Sequence, residues 1–145
     1  MKRKIIIGVI ILIVAAIAAY GVYINSPVIR MTVVYKMNFE LFEIAAHGNE
    51  DDVERLVHKL NDTVGFQNTF DDGIVEANRK EDQERLYIIG YREGVESSAG
   101  GKELRYEWVY SETKPDIENK ERSGFRLEKT LGDGWYLYRW LGYTC

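Results

Sequence analysis

From Ile5 to Ile24 the chain runs for 20 residues without a charged side chain, most of them Ile, Val, Leu or Ala. At about 1.5 Å rise per residue a helix of this length covers roughly 30 Å, the thickness of a bilayer's hydrocarbon. Each central Ile, Val or Leu favours insertion by about 0.3–0.6 kcal/mol, so transfer of the whole segment into lipid is strongly downhill. Ile5, Ile10, Leu12, Val14 and Ile17 form the body of the expected anchor, and Tyr20 and Tyr23 fit an aromatic belt at its far end. Asn25-Ser26-Pro27 marks the exit into water.

Lys2, Arg3 and Lys4 precede the segment, and the positive-inside rule keeps such a start cytoplasmic and sends the remainder across. The expected location is the inner or plasma membrane, with the C-terminal part extracytoplasmic, in the periplasm if the cell is a Gram-negative bacterium. The lipid bilayer is then a partner through residues 5–24. The alternative is a cleaved signal peptide and a secreted product, because the basic start, the apolar run and Ala16-Ile17-Ala18 resemble its three regions. Apolar sequence continuing through Tyr20-Gly21-Val22-Tyr23-Ile24 favours retention.

The 145 residues leave room for one domain of ordinary size beyond the anchor. Its expected divisions are a basic start and anchor over 1–25, a stalk or linker over 26–37, and a soluble domain over 38–145. With Lys2, Arg3 and Lys4 set aside, the other 16 basic residues against 23 acidic ones give the rest of the chain a formal charge of −7. Arg and Lys are interleaved with Glu in place of a basic stripe, which argues against nucleic acid as a partner. A single cysteine, Cys145, cannot form an internal disulfide. It reads as a plain terminal thiol, with a homodimer bridged through it as the alternative.

Val28 to Tyr35 is a β-branched run compatible with a strand or with a stalk continuing the apolar helix. From Asn38, a residue suited to capping, Phe39, Leu41, Phe42, Ala45 and Ala46 fall at helical spacing until Gly48-Asn49. Glu50-Asp51-Asp52 then opens a second short helix with Val53, Leu56, Val57 and Leu60 on one face. Beyond Gly65 the period becomes two. Strands are expected over Gly65 to Phe70, Ile74 to Asn78, Arg85 to Val95, Glu103 to Glu112, Gly124 to Thr130 and Trp135 to Tyr143. Asp71-Asp72-Gly73, the run Ser97 to Gly101, and Gly132-Asp133-Gly134 supply turns. Helices first and strands after give an α+β class: an N-terminal transmembrane helix, then two short helices packed on a curved antiparallel sheet of four to five strands.

The stretch from Leu41 to Val57, with its central Gly48-Asn49, looks like the helix-turn-helix of one ankyrin repeat, although a lone repeat has no neighbour to bury its face. With the sheet that follows, and the last strand introduced by Asp133-Gly134-Trp135, the order of elements over residues 38 to 143 is similar to membrane-anchored cystatin-like or nuclear-transport-factor-like α+β proteins. That resemblance implies a helix-covered sheet. Its fold hosts enzymes, ligand carriers and assembly modules alike, so it selects no activity.

Metal chemistry needs three or four convergent ligands, and His47, His58 and Cys145 have no such spacing. Both histidines sit where a helix ends, which a favourable dipole contact explains. No nucleophile elbow or phosphate-cradling glycine loop is present, and no metal or cofactor is expected. The aromatics say more. Tyr106, Trp108 and Tyr110 alternate with Arg105, Glu107, Val109 and Ser111 on one strand, and Tyr136, Tyr138 and Trp140 share one face of the last. They form the core, a face for a protein partner, or a small-ligand pocket, and the buried face of the last strand is either this set or Trp135, Leu137 and Leu141. The expected role is a single-pass envelope module that binds a protein partner. The alternatives are a ligand-binding or weakly catalytic cystatin-like pocket and an envelope inhibitor or immunity factor that uses its negative surface for steering.

Overall fold

Residues 2–63, 76–80, 85–94, 101–114 and 124–144 are described by a computed structural model. They form four helices followed by a five-stranded antiparallel sheet. The expected strand over Gly65 to Phe70, the Asp71-Asp72-Gly73 turn, most of the turn at Ser97 to Gly101, and Cys145 lie outside the described residues.

Helix α1 (Lys2–Asn25) contains the apolar segment. Over Lys4–Asn25 it is long and apolar enough to serve as a membrane anchor or a signal sequence, and none of its apolar window is buried against the rest of the protein. Leu12 and Ile17, for instance, are 71% and 66% exposed, a state that water penalises and lipid does not. Near its end Tyr20 and Tyr23 stack with ring centroids 6.5 Å apart.

One residue separates α1 from α2 (Pro27–Met37). Ser26 caps α2, its hydroxyl accepting the Ile29 amide, and Pro27 stands in the first turn, where its missing N–H costs nothing. Hydrogen bonds from Ser26 N to the Val22 carbonyl and from Arg30 N to the Ser26 carbonyl keep helical pairing across the junction. The segment expected as a stalk or linker is therefore helical and packed. Met31, Val34 and Tyr35, at helical spacing, enter the main core, and Arg30 and Thr32 are buried beside them. Three helices, not two, cover the sheet. Asn38 caps backwards: its side-chain amide donates to the Val34 carbonyl at 2.9 Å and makes no bond to α3.

Helices α3 (Phe39–His47) and α4 (Glu50–Asn61) follow the expected spacing and turn at Gly48-Asn49. Asn49 and Asp52 form a reciprocal capping box, which satisfies two amides that the start of α4 leaves without partners. Phe42, Ala45, Val53, Leu56 and Leu60 point into the core.

The sheet runs in the order β1-β2-β3-β5-β4. Its strands are β1 (Glu76–Lys80), β2 (Arg85–Gly94), β3 (Gly101–Tyr110), β4 (Phe125–Gly132) and β5 (Trp135–Thr144). A two-residue turn joins β4 to β5, with Asp133 at φ 51° and Gly134 at φ 80°. Both values are positive, the geometry that matches strand twist in short hairpins and that Asp-Gly tolerates. On the helix side Phe42 lies edge-on to Trp108 and Trp135 at 5.3 and 5.0 Å. Gly90, at a shift of register between β2 and β3, provides the floor beneath Trp108, because a Cβ there would enter the Trp108 ring and the Met31 side chain.

Candidate functional site

Because side chains alternate along a strand, the six aromatic residues singled out in the sequence divide between two faces. Tyr106, Trp108 and Tyr110 face the helices and belong to the main core with Trp135 and Leu137. Trp108 is completely buried, its indole N–H donating to the Met31 carbonyl. Tyr136, Tyr138 and Trp140 lie on the opposite face, where Tyr138 joins Tyr87, Val109 and Phe125 in a second buried cluster. Leu127, Tyr136 and Trp140 are half-buried around it. Leu141, which alternation places with Trp135 and Leu137, is exposed.

Strand register sets this second face out in rows. Tyr87, Val109 and Tyr136 cross β2, β3 and β5 in one row, Ile89, Glu107 and Tyr138 in the next, and Arg92, Arg105 and Trp140 in the third, with Phe125 of β4 beyond Trp140. Glu103, one step further along β3, brings one carboxylate oxygen to 2.9 Å from Arg92 Nε and 3.2 Å from Arg105 Nε. Arg105 Nε is also 3.7 Å from Glu107, whose side chain is 1% exposed. The Arg105 guanidinium carbon lies 4.1 Å from the centre of the Trp140 ring, a cation–π contact of about 0.5–2 kcal/mol. Gly142 leaves room for that ring, since a Cβ would overlap it.

Beside this ladder is a cleft of about 350 Å³ lined by Asn78 of β1, Tyr87, Ile89 and Arg92 of β2, and Arg105 and Glu107 of β3. Its volume falls at the lower end of small-molecule sites, and its lining mixes one apolar wall with charged and amide groups. Alternation along β3 groups Arg105 and Glu107 with Val109, but that they line one cleft with Arg92 and Asn78 depends on cross-strand pairing, which one strand's pattern does not reveal.

A smaller polar group sits on the helix side. Tyr110 Oη is 3.3 Å from His47 Nε2 at the end of α3, with the two rings edge-on. Burial, then the charges of Glu112 and Glu43, push the Tyr110 phenol up. Burial, then Glu43 and Asp133, push Tyr35 up to about 12. Both phenols are therefore neutral at ordinary pH and available as hydrogen-bonding groups. His58 pairs loosely with Asp62 at 3.7 Å on the surface of α4. Among the described residues no three His, Cys, Asp or Glu side chains come together as a metal site would require.

No family model, no curated protein and no solved structure matches this chain.

Proposed function

We propose that this chain is a single-pass membrane protein that holds its α+β domain outside the cytoplasm and binds a protein partner with the sheet face opposite the helices. The observation that carries this reading is the half-buried set Leu127, Tyr136 and Trp140 around the buried Tyr87, Val109, Phe125 and Tyr138. Aromatic anchors beside arginine are enriched in protein-binding hot spots. The basic residues Lys2, Arg3 and Lys4 in the first turn of α1 support the orientation. On the helix side Phe42, Trp108 and Trp135 fill the centre at ring-contact distances, so a cystatin-like pocket beneath the helices has little support.

A photo-crosslinking residue placed at Tyr136 in the membrane-bound chain tests the face, with the same residue at the exposed Glu54 of α4 as control. The expected result is a discrete adduct from position 136 that is absent from position 54 and lost with Trp140→Ala. Equal labelling from both positions would end the reading. A compartment-sensitive reporter at the C-terminus tests the orientation, and activity only in the cytoplasm would reverse it.

A further inference from the structure

We propose that the end of the sheet nearest α1 docks on the bilayer that α1 enters, with Lys102, Arg126 and Arg139 meeting anionic phospholipid headgroups and Leu141 and Ile29 sinking between them. The course of α2 fixes which end this is. The Arg30 guanidinium carbon lies 5.5 Å from the centre of the Tyr91 ring, the Met31 carbonyl accepts from the Trp108 indole, and the Tyr35 hydroxyl reaches the Gly132 carbonyl at 3.4 Å. Helix α2 therefore starts beside the row that register sets across four strands, Tyr91, Tyr106, Arg139 and Arg126, and finishes near the β4–β5 hairpin. Only Ser26 separates that start from α1. From the same row β3 runs back to Gly101 and β5 on to Thr144, about 17 Å at 3.4 Å per residue, which returns the sheet toward the level at which α1 leaves the lipid.

Composition at this end suits headgroups. From the row outward the described strand residues include Arg92, Lys102, Arg105, Arg126 and Arg139 against Glu93 and Glu103, with no other charged side chain. Register places like charges opposite one another twice, Arg92 against Arg105 and Arg126 against Arg139, and directly opposed like charges destabilise a sheet. Glu103 lies between the first pair. In the second, Glu128 reaches Arg139 Nε at 3.1 Å, while Arg126 is exposed and makes no ion pair with a described residue. Two guanidinium groups side by side are suited to a phosphodiester, which offers two charged oxygens. Alternation puts Lys102 and Leu141 on the same side of the sheet as this pair. Leu141 and Ile29 are 44% and 41% exposed, and exposed apolar groups beside bases are what binds a protein to the surface of an anionic membrane. Because the chain after Lys4 is acidic overall, such a membrane attracts the domain only where bases gather locally.

This docking rests on the reading of α1 as a membrane anchor, but it needs no protein partner. The full chain, carrying Cys145→Ser and one fluorophore on Leu141→Cys, is placed in phosphatidylcholine nanodiscs with and without phosphatidylglycerol, and quenching by headgroup-spin-labelled lipid is measured. The same fluorophore on Glu112→Cys reports on the far end of β3, and on Leu12→Cys, with acyl-chain-labelled lipid, on the anchor. The expected result is quenching at position 141 that rises with phosphatidylglycerol, none at 112, and strong quenching at 12 in both bilayers. Arg126→Gln should lower the ratio of docked to undocked domain, read from the two fluorescence lifetimes, by about fivefold. Lys102→Gln, also at an exposed position, should act in the same direction and carries the test if Arg126→Gln fails to fold. Docking is refuted if position 141 is quenched no more than 112, if phosphatidylglycerol makes no difference, or if the folded variants keep the full ratio. A quenched position 12 with an unquenched 141 overturns the docking alone, whereas an unquenched position 12 overturns the anchor and the docking with it.

Discussion

The indole nitrogen of Trp108 lies 3.2 Å from the Met31 carbonyl oxygen, a buried hydrogen bond that ties the central strand to the helix following the apolar segment. Trp135, equally buried on the neighbouring strand, has no acceptor for its own indole N–H among the described residues. Two tryptophans in one core thus differ in what they satisfy.

That difference predicts unequal costs for the same substitution. Trp108→Phe removes a donor and orphans part of a helix carbonyl, while Trp135→Phe removes an indole N–H whose burial was itself unfavourable. We expect Trp108→Phe to be the more destabilising by about 1–2 kcal/mol, and either change to Ala to cost about 3–5 kcal/mol. Urea unfolding followed by tryptophan fluorescence, with the full chain in detergent, measures both.

Gly90→Ala should destabilise by about 1–3 kcal/mol, although alanine is ordinarily welcome where a glycine has no special backbone angle. The reason is steric, since the new methyl group would meet Trp108 and Met31. A combined loss in Gly90→Ala/Met31→Ala smaller than the sum of the two single losses would identify the contact, and strict additivity would speak against it.

Alkaline titration should unfold the domain earlier than exposed tyrosines would require. Tyr35 is pushed up to about 12 chiefly by burial, and so is Tyr91, which burial and the hydrogen bond to Glu93 together keep protonated. An acid group with a raised folded pKa stabilises fully below its unfolded value near 10 and loses that contribution as pH rises towards 12. Urea midpoints should therefore be flat around pH 8 and fall between pH 10 and 12. Tyr35→Phe should make that fall shallower, and an unchanged slope would contradict the burial of its hydroxyl.

Glu103→Gln should cost about 1–3 kcal/mol, more than a surface charge change. One of its carboxylate oxygens lies within 3.2 Å of the Nε of two arginines, and its side chain is 13% exposed. The loss should shrink in Arg92→Gln protein, where one of those charges has already gone. A double-mutant cycle of the two substitutions reads that coupling directly.

Much of the architecture was legible locally. Helical spacing located Phe42, Ala45, Leu56 and Leu60 on buried faces, and the Asp133-Gly134 hairpin carried its own turn chemistry. The region from Val28 to Tyr35 was not legible, because its Val, Ile and Thr residues favour extended backbone by local preference. Ser26, Pro27 and the burial of Met31, Val34 and Tyr35 override that preference, and only the assembled sheet provides the surface that buries them. The candidate site failed to appear for a related reason. Arg105 and Glu107 read as ordinary outward residues on one strand, and their meeting with Arg92, Trp140 and Asn78 is a property of register across four strands.

The single residue between α1 and α2 governs how far the domain can travel. A flexible linker would let a binding surface sweep a volume that grows with linker length, but Ser26 permits little beyond a bend between two helices, the second of which is part of the folded core. If α1 spans a bilayer, the sheet face is confined to a thin layer above the lipid, and encounters with other membrane-held molecules become a search in two dimensions at high local concentration. Lengthening the chain by a Gly-Ser insert after Asn25 would release the domain from that layer, at the cost of the Ser26 N–H to Val22 carbonyl bond that now carries helical pairing across the junction.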